Sequence, residues 1–161
     1  MPTSSIHFDY EVLDSIDALN EQDKQLLISA RKVTEKAYAP YSQFLVGATA
    51  LLANGAIVEG TNQENASFPV GVCAERTLLA SAAMLHTNVP IDTMAIAYHH
   101  LNGKSDVPVS PCGMCRQALH EYENRTNHEI RLILSGMSGK VYIIPKASML
   151  LPLSFSGDGL K

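Results

Sequence analysis

Three cysteines and one glutamate carry the chemistry open to this sequence. Cys73 stands two residues before Glu75, and Pro111-Cys112-Gly113-Met114-Cys115 begins 36 positions after that glutamate. No other cysteine occurs in the chain. Three thiolates suit a zinc ion with one coordination position left open, and an adjacent carboxylate can handle protons beside it. An open position with a nearby carboxylate is what zinc-dependent hydrolysis requires. Three thiolates around a divalent ion leave a net negative charge, which opposes ionisation of a bound water. Arg76 follows the glutamate directly and is placed to offset that charge by hydrogen-bonding one or more of the sulfurs.

Other uses of these residues have to be weighed. A Cys-x-x-Cys near strand–helix units also suits a redox pair. The third cysteine, the glutamate two residues after it and the proline before the pair favour a metal. A closed structural site normally takes four protein ligands, and none of the six histidines stands at a ligand spacing from the cysteines. An interaction module stabilised by zinc would have no use for Glu75 at its position.

Both ligand groups fall at predicted helix starts. Residues 73–85 are rich in Ala and Leu and predict one helix, and residues 112–122 predict a second, with Pro111 just before it. A helix N-terminus lowers a thiol's pKa, and zinc binds the thiolate. Cys112 and Cys115 are three apart and share a helix face. The remaining pattern supplies the scaffold. Ile6, Phe8, Tyr10 and Val12 alternate with polar residues, which predicts a strand. A helix starts at Asn20, carries Glu21 and Asp23 in its first turn, buries Leu26, Ala30, Val33 and Ala37, and stops at Pro40. Residues 45–52 and 57–59 flank Asn54-Gly55 as a hairpin. Residues 62–72 read as a loop leading to the metal, residues 92–98 as a buried strand, and residues 99–109 as a polar loop with His99 and His100 exposed. Strands at 130–135 and 141–144 meet at a Ser138-Gly139 turn, and a short helix at 146–151 precedes the tail. Strands separated by helices predict an α/β fold, a three-layer α/β/α sandwich with a mixed five-stranded sheet. Residues 1–161 read as one domain, with residues 1–19 an N-terminal extension that adds a strand.

With 161 residues, 46% of them hydrophobic, the chain can bury roughly 70% of its unfolded surface and has no need of metal to form a core. A net charge of −4 without a run of Lys or Arg argues against nucleic acid as a partner. The first residues lack a basic segment followed by an apolar one, and the apolar runs are too short to cross a membrane. Cysteines in a chain without an export signal point to a reducing compartment, so the expected location is cytoplasmic.

Several stretches extend the zinc motif into a resemblance to a family. They are Tyr41-Ser42-Gln43-Phe44-Leu45-Val46-Gly47-Ala48, Asn62-Gln63-Glu64-Asn65-Ala66-Ser67-Phe68-Pro69, Cys73-Ala74-Glu75-Arg76-Thr77, Ser110-Pro111-Cys112-Gly113-Met114-Cys115-Arg116-Gln117, and the Leu150-Leu151-Pro152-Leu153-Ser154-Phe155 tail. Together they resemble the small zinc-dependent cytidine deaminases. The resemblance implies hydrolytic deamination of cytidine and 2′-deoxycytidine to uridine and 2′-deoxyuridine plus ammonia, as in pyrimidine salvage. It also implies one zinc ion per subunit and a homotetramer whose neighbouring subunits complete each active site. Carried across residue by residue, Cys73, Cys112 and Cys115 would hold zinc and Glu75 would shuttle protons. Asn62 and Glu64 would bind the ribose 3′-hydroxyl, and Phe44 would pack against the base. Ala74 and Phe68 would add substrate contacts, and Phe155 would reach in from another subunit.

The implied chemistry has its own logic. Activated water attacks C4 of the cytosine ring, while a glutamate takes its proton, delivers it to ring N3 and protonates the departing amine. The Ser110 carbonyl, adjacent to the Pro-Cys pair, is placed to accept a hydrogen bond from the 4-amino group. A deaminase acting on polynucleotides would want a basic groove and stacking aromatics, whereas this chain has no Trp and four Phe. A deaminase of a cytosine-containing nucleoside antibiotic would share the Cys-x-Glu and Pro-Cys-x-x-Cys parts without needing Asn62-x-Glu64-Asn65. Two departures from the family pattern stand out. Position 68 is Phe where Tyr is common, and Phe155-Ser156-Gly157 replaces Phe-Gly-Pro.

Overall fold

Alternate side chains along the strands feed two separate cores, one on each face of a sheet. The computed structural model describes residues 1–160. Its elements run β1 (Glu11–Leu13), α1 (Glu21–Val33), β2 (Phe44–Leu52), β3 (Ile57–Thr61), α2 (Ala74–Leu85), β4 (Ile91–His100), α3 (Gly113–Thr126), β5 (Arg131–Ser135) and β6 (Val141–Ile144). The sheet order is β1-β6-β5-β4-β2-β3. The β4–β5 pair, joined across α3, is parallel and the remaining pairs are antiparallel. Met94, Ile96, Leu132 and Leu134 pack under α2 and α3 against Leu78 and Leu119. Their sequence neighbours Ala95, Ala97 and Ile133 point the other way, toward Leu26, Leu27 and Ala30 of α1. The result is the expected three-layer α/β/α sandwich with a mixed sheet.

The sheet has six strands where five are expected, because β1 pairs with β6 and becomes the edge. Pairing takes in residues 11–13 alone, since β6 has four residues and offers partners from Val141 to Ile143. The alternating residues 6–10 lie outside any strand. His99 and His100 also differ from expectation. They continue β4 opposite Leu45 and Phe44 rather than opening a loop, because β2 extends far enough to pair with them. Helix α1 ends at Val33 instead of running toward Pro40, and a 3₁₀ turn follows. Thr34 donates its hydroxyl to the Arg31 carbonyl, a local bond that competes with continuation of the helix. No helix among the described residues is long and apolar enough to cross a membrane.

The connections bring the motifs to one end of the sheet. Strands β3 and β4 are both antiparallel to β2, so the ends of β3 and β4 and the start of β2 lie together. The 62–73 segment leaves β3 there and feeds α2. The 101–112 segment leaves β4 and feeds α3. At the far end of α3 the buried Glu123 carboxylate accepts the N–H groups of Ile130, Ala147 and Ser148. It thereby fixes how α3 sits against β5 and the tail.

Candidate metal centre and active site

Cys73 and Cys112 are the N-cap residues of α2 and α3, and neither helix start has a side-chain cap bond of its own. The two caps face each other, and the three cysteine sulfurs lie within 4.8 Å of one another. Cys73 Sγ is 3.7 Å from Cys112 Sγ, which is 3.4 Å from Cys115 Sγ. Tetrahedral zinc with bonds of about 2.3 Å sets sulfurs about 3.8 Å apart, so this cluster fits the ion. Thiolates are also the donors that zinc prefers. The Cys73 pKa is lowered to about 6, first by the hydrogen bond from the Cys115 thiol, then by Cys112 and the charge of Arg76. The Cys115 thiol is pushed far up, because its proton is held by Cys73 and the site is desolvated. Binding of a divalent cation displaces such protons.

Glu75 sits in the first turn of α2 beside this cluster and is 5% exposed. Desolvation raises its pKa, so this carboxyl takes a proton more readily than an exposed one. Arg76 is half-buried and acts on Cys73 through its charge. Among the described residues its guanidinium makes no hydrogen bond to a sulfur.

In front of the cluster lies a cavity of about 600 Å³, a size suited to a small organic ligand. The structure gathers Phe44, Asn62, Glu64, Phe68, Ala74 and Ser110 onto its wall together with Glu75, Cys73 and Cys112. The Phe44 ring stacks on Tyr98 at 4.7 Å with an 11° interplanar angle. Asn62 clamps the start of β2, accepting the Val46 N–H at 2.8 Å and donating to the Phe44 carbonyl at 2.8 Å. Glu64 accepts the N–H groups of Tyr41 at 2.9 Å and Ser42 at 3.2 Å. These bonds, after one from the Ser42 side chain, hold its carboxyl below the usual range. At the rim Phe68 is exposed and meets Tyr41 edge-on at 5.7 Å.

Phe155 lies elsewhere. It is 67% exposed and does not line this cavity in its own chain. Its carbonyl accepts from Gln117, and Arg116 donates to the carbonyls of Pro111 at 2.8 Å and Leu150 at 2.9 Å. Arg116 thus ties the loop that presents Cys112 to the C-terminal segment. Sequence reasoning does not single out Arg116, Tyr98 or Ser42. Each acts through a contact distant in the chain or through a main-chain bond, although Arg116 and Ser42 fall within the quoted motifs.

Comparison with known proteins agrees with this geometry. Residues 20–127 match the family described as the cytidine and deoxycytidylate deaminase zinc-binding region. The chain is 37% identical over 139 residues to a cytidine deaminase of Halalkalibacterium halodurans, covering 86% of this chain and 98% of that one. It is 34% identical over 137 residues to one from Sporosarcina psychrophila, covering 85% and 93%. The crystal structure of cytidine deaminase from Burkholderia pseudomallei superposes with a TM-score of 0.72 at 34% identity, covering 85% of this chain and all (100%) of that one. A family match over residues 20–127 and relatives aligned over nearly their whole length show that this chain belongs to the cytidine and deoxycytidylate deaminase family, with its zinc-binding region built on Cys73, Cys112 and Cys115.

Proposed function

We propose that this chain hydrolyses cytidine and 2′-deoxycytidine to uridine and 2′-deoxyuridine, releasing ammonia. The observation that carries the reading is the buried Glu75 at the open side of a three-sulfur cluster, facing a nucleoside-sized cavity. Cys73, Cys112 and Cys115 hold one zinc ion per chain. When bound, zinc supplies a Lewis acid that lowers the pKa of water at the site.

The chain's own residues then place the base and move protons. Phe44, backed by Tyr98, packs against the cytosine ring, and Asn62 and Glu64 take the sugar 3′-hydroxyl. Phe68 and Ala74 add contacts along the same wall. The Ser110 carbonyl accepts from the 4-amino group and orients C4. Glu75 takes a proton from water and delivers it to ring N3. It then passes the second proton to the departing amine. The balance closes: the C4–N bond breaks, a C4–oxygen bond forms, one water proton remains on N3 and the other leaves with ammonia. Arg76 offsets the negative charge of the three thiolates. Its charge already lowers the Cys73 pKa, which supports that role.

The same reading extends to assembly and location. We assign the protein to a homotetramer in which Phe155 reaches a neighbouring site. The 67% exposure of Phe155 and its absence from the lining of its own cavity support this. Free cysteines suit the cytoplasm, and the acidic balance leaves nucleic acid without a landing surface.

Ultraviolet absorbance tests the activity. Zinc-loaded protein is expected to convert the cytidine band to that of uridine. Treatment with a strong chelator should stop the change, and added zinc should restore it. An unchanged cytidine spectrum with zinc-loaded protein would refute the assignment.

A further inference from the structure

Of the three clustered cysteines, Cys112 is the one that the packed core does not hold. Cys115 is fully buried and Cys73 half-buried, whereas Cys112 is exposed at the N-cap of α3. Its backbone therefore decides where its sulfur stands, and one residue grips that backbone on both sides. The Arg116 main-chain N–H donates to the Cys112 carbonyl at 2.9 Å, the first bond of the helix. The Arg116 Nε donates to the carbonyl of the preceding Pro111 at 2.8 Å. The guanidinium thus fixes the peptide between Pro111 and Cys112, while the proline ring fixes φ just before it.

The guanidinium is itself held from behind. Its Nη1 donates to the Leu150 carbonyl at 2.9 Å. Leu150 is 9% exposed and packs into the core beside Leu119. The turn that ends at Leu150 is pinned at Ala147 and Ser148 by the Glu123 carboxylate, two turns further along α3. Both ends of that turn are therefore bound to α3, and its last carbonyl gives Arg116 a fixed seat. Arginine suits the place because one planar fork reaches two carbonyls at once. Among the described residues its guanidinium bonds these two carbonyls and no carboxylate.

We propose that Arg116 is a positioning residue of the metal centre: by bracing the Pro111 carbonyl against Leu150, it holds Cys112 in ligating position and sets how firmly the site retains zinc. The proposal rests on the reading of Cys112 as a zinc ligand.

Zinc release is the test. Zinc-loaded protein is challenged with an excess of a chromophoric chelator, and release is followed by absorbance. Arg116→Gln is expected to release zinc about tenfold faster than wild type, the lower end for groups that orient metal ligands. Arg116→Lys should release it nearly as fast, because an ammonium keeps the charge but cannot span both carbonyls. In cobalt(II)-substituted protein, the thiolate-to-metal absorption per bound ion should weaken in both variants. Melting with and without zinc separates ligation from folding: the rise in melting temperature that zinc brings should shrink. Cys112→Ala separates the proposal from the reading beneath it. If Cys112→Ala retains zinc like wild type, the reading of Cys112 as a ligand fails. If Cys112→Ala loses zinc but Arg116→Gln keeps the wild-type release rate, the positioning role alone is overturned. Wild-type retention in Arg116→Lys would also overturn it, since charge would then suffice. So would a lower melting temperature with an unchanged zinc-dependent rise and cobalt spectrum, the mark of a purely structural bond.

Discussion

Replacing Glu75 by Gln is expected to lower kcat for cytidine by about 10⁴-fold while leaving one zinc per chain and an unchanged melting profile. The magnitude is the upper range for a positioned acid–base group, because one carboxyl serves both the attack and the departure of the amine. Gln has nearly the same shape, so the buried position in the first turn of α2 is filled without a cavity. An amide cannot accept and return a proton at these pH values. The loss should therefore appear in kcat and kcat/KM together, the pattern of an interaction made in the transition state. A Glu75→Gln protein retaining a tenth of wild-type turnover would show that proton transfer runs through another group.

The second large effect is expected at Gly60, which touches no substrate. A Cβ built there would stand 2.5 Å from the Ala74 carbonyl oxygen and 2.6 Å from the Leu78 nitrogen. Both are backbone atoms of α2, so the helix itself must retreat for Gly60→Ala to fit. The retreat moves Cys73 and Glu75 with the helix, and a displacement of about 1 Å at a reacting group costs about 100-fold. We expect Gly60→Ala to lose at least that factor in kcat/KM, with weakened zinc retention and about 1–3 kcal/mol of stability from overpacking. Gly47→Ala is the control. Its added Cβ meets the Ala30 carbonyl oxygen at 2.2 Å and the Thr34 nitrogen at 2.8 Å, on the α1 face away from the cluster. Gly47→Ala should lose stability yet keep its zinc. If Gly60→Ala held zinc and turned over cytidine like wild type, the close seat of α2 on β3 would not be what places the cluster.

These two positions show where sequence reasoning reaches and where it stops. The cysteines and Glu75 are legible because zinc chemistry fixes their types and their spacing at helix starts. Asn54-Gly55 is legible as a turn because Gly55 takes φ 83°, and the two-core sandwich follows from residues that alternate along the strands. Gly60 is not legible, since its cause is the approach of a helix 14 residues later in the chain. His99 and His100 read as loop by composition. In the structure, pairing with Leu45 and Phe44 overrides that preference. The 6–12 alternation overstates β1, because a short β6 limits how much of it can pair. Glu123 falls just past the predicted 112–122 helix and is in the structure a buried helix residue that accepts three peptide N–H groups. In each case the deciding partner is distant in sequence, and a local pattern holds no record of it.

Isotope labelling reaches the central claim most directly. Zinc-loaded protein is mixed with cytidine in water enriched in ¹⁸O, and the products are weighed by mass spectrometry. Hydrolytic deamination predicts uridine carrying one solvent oxygen at C4 and an equal amount of ammonia. Cytidine recovered unchanged, or uridine without the solvent oxygen, would contradict the account.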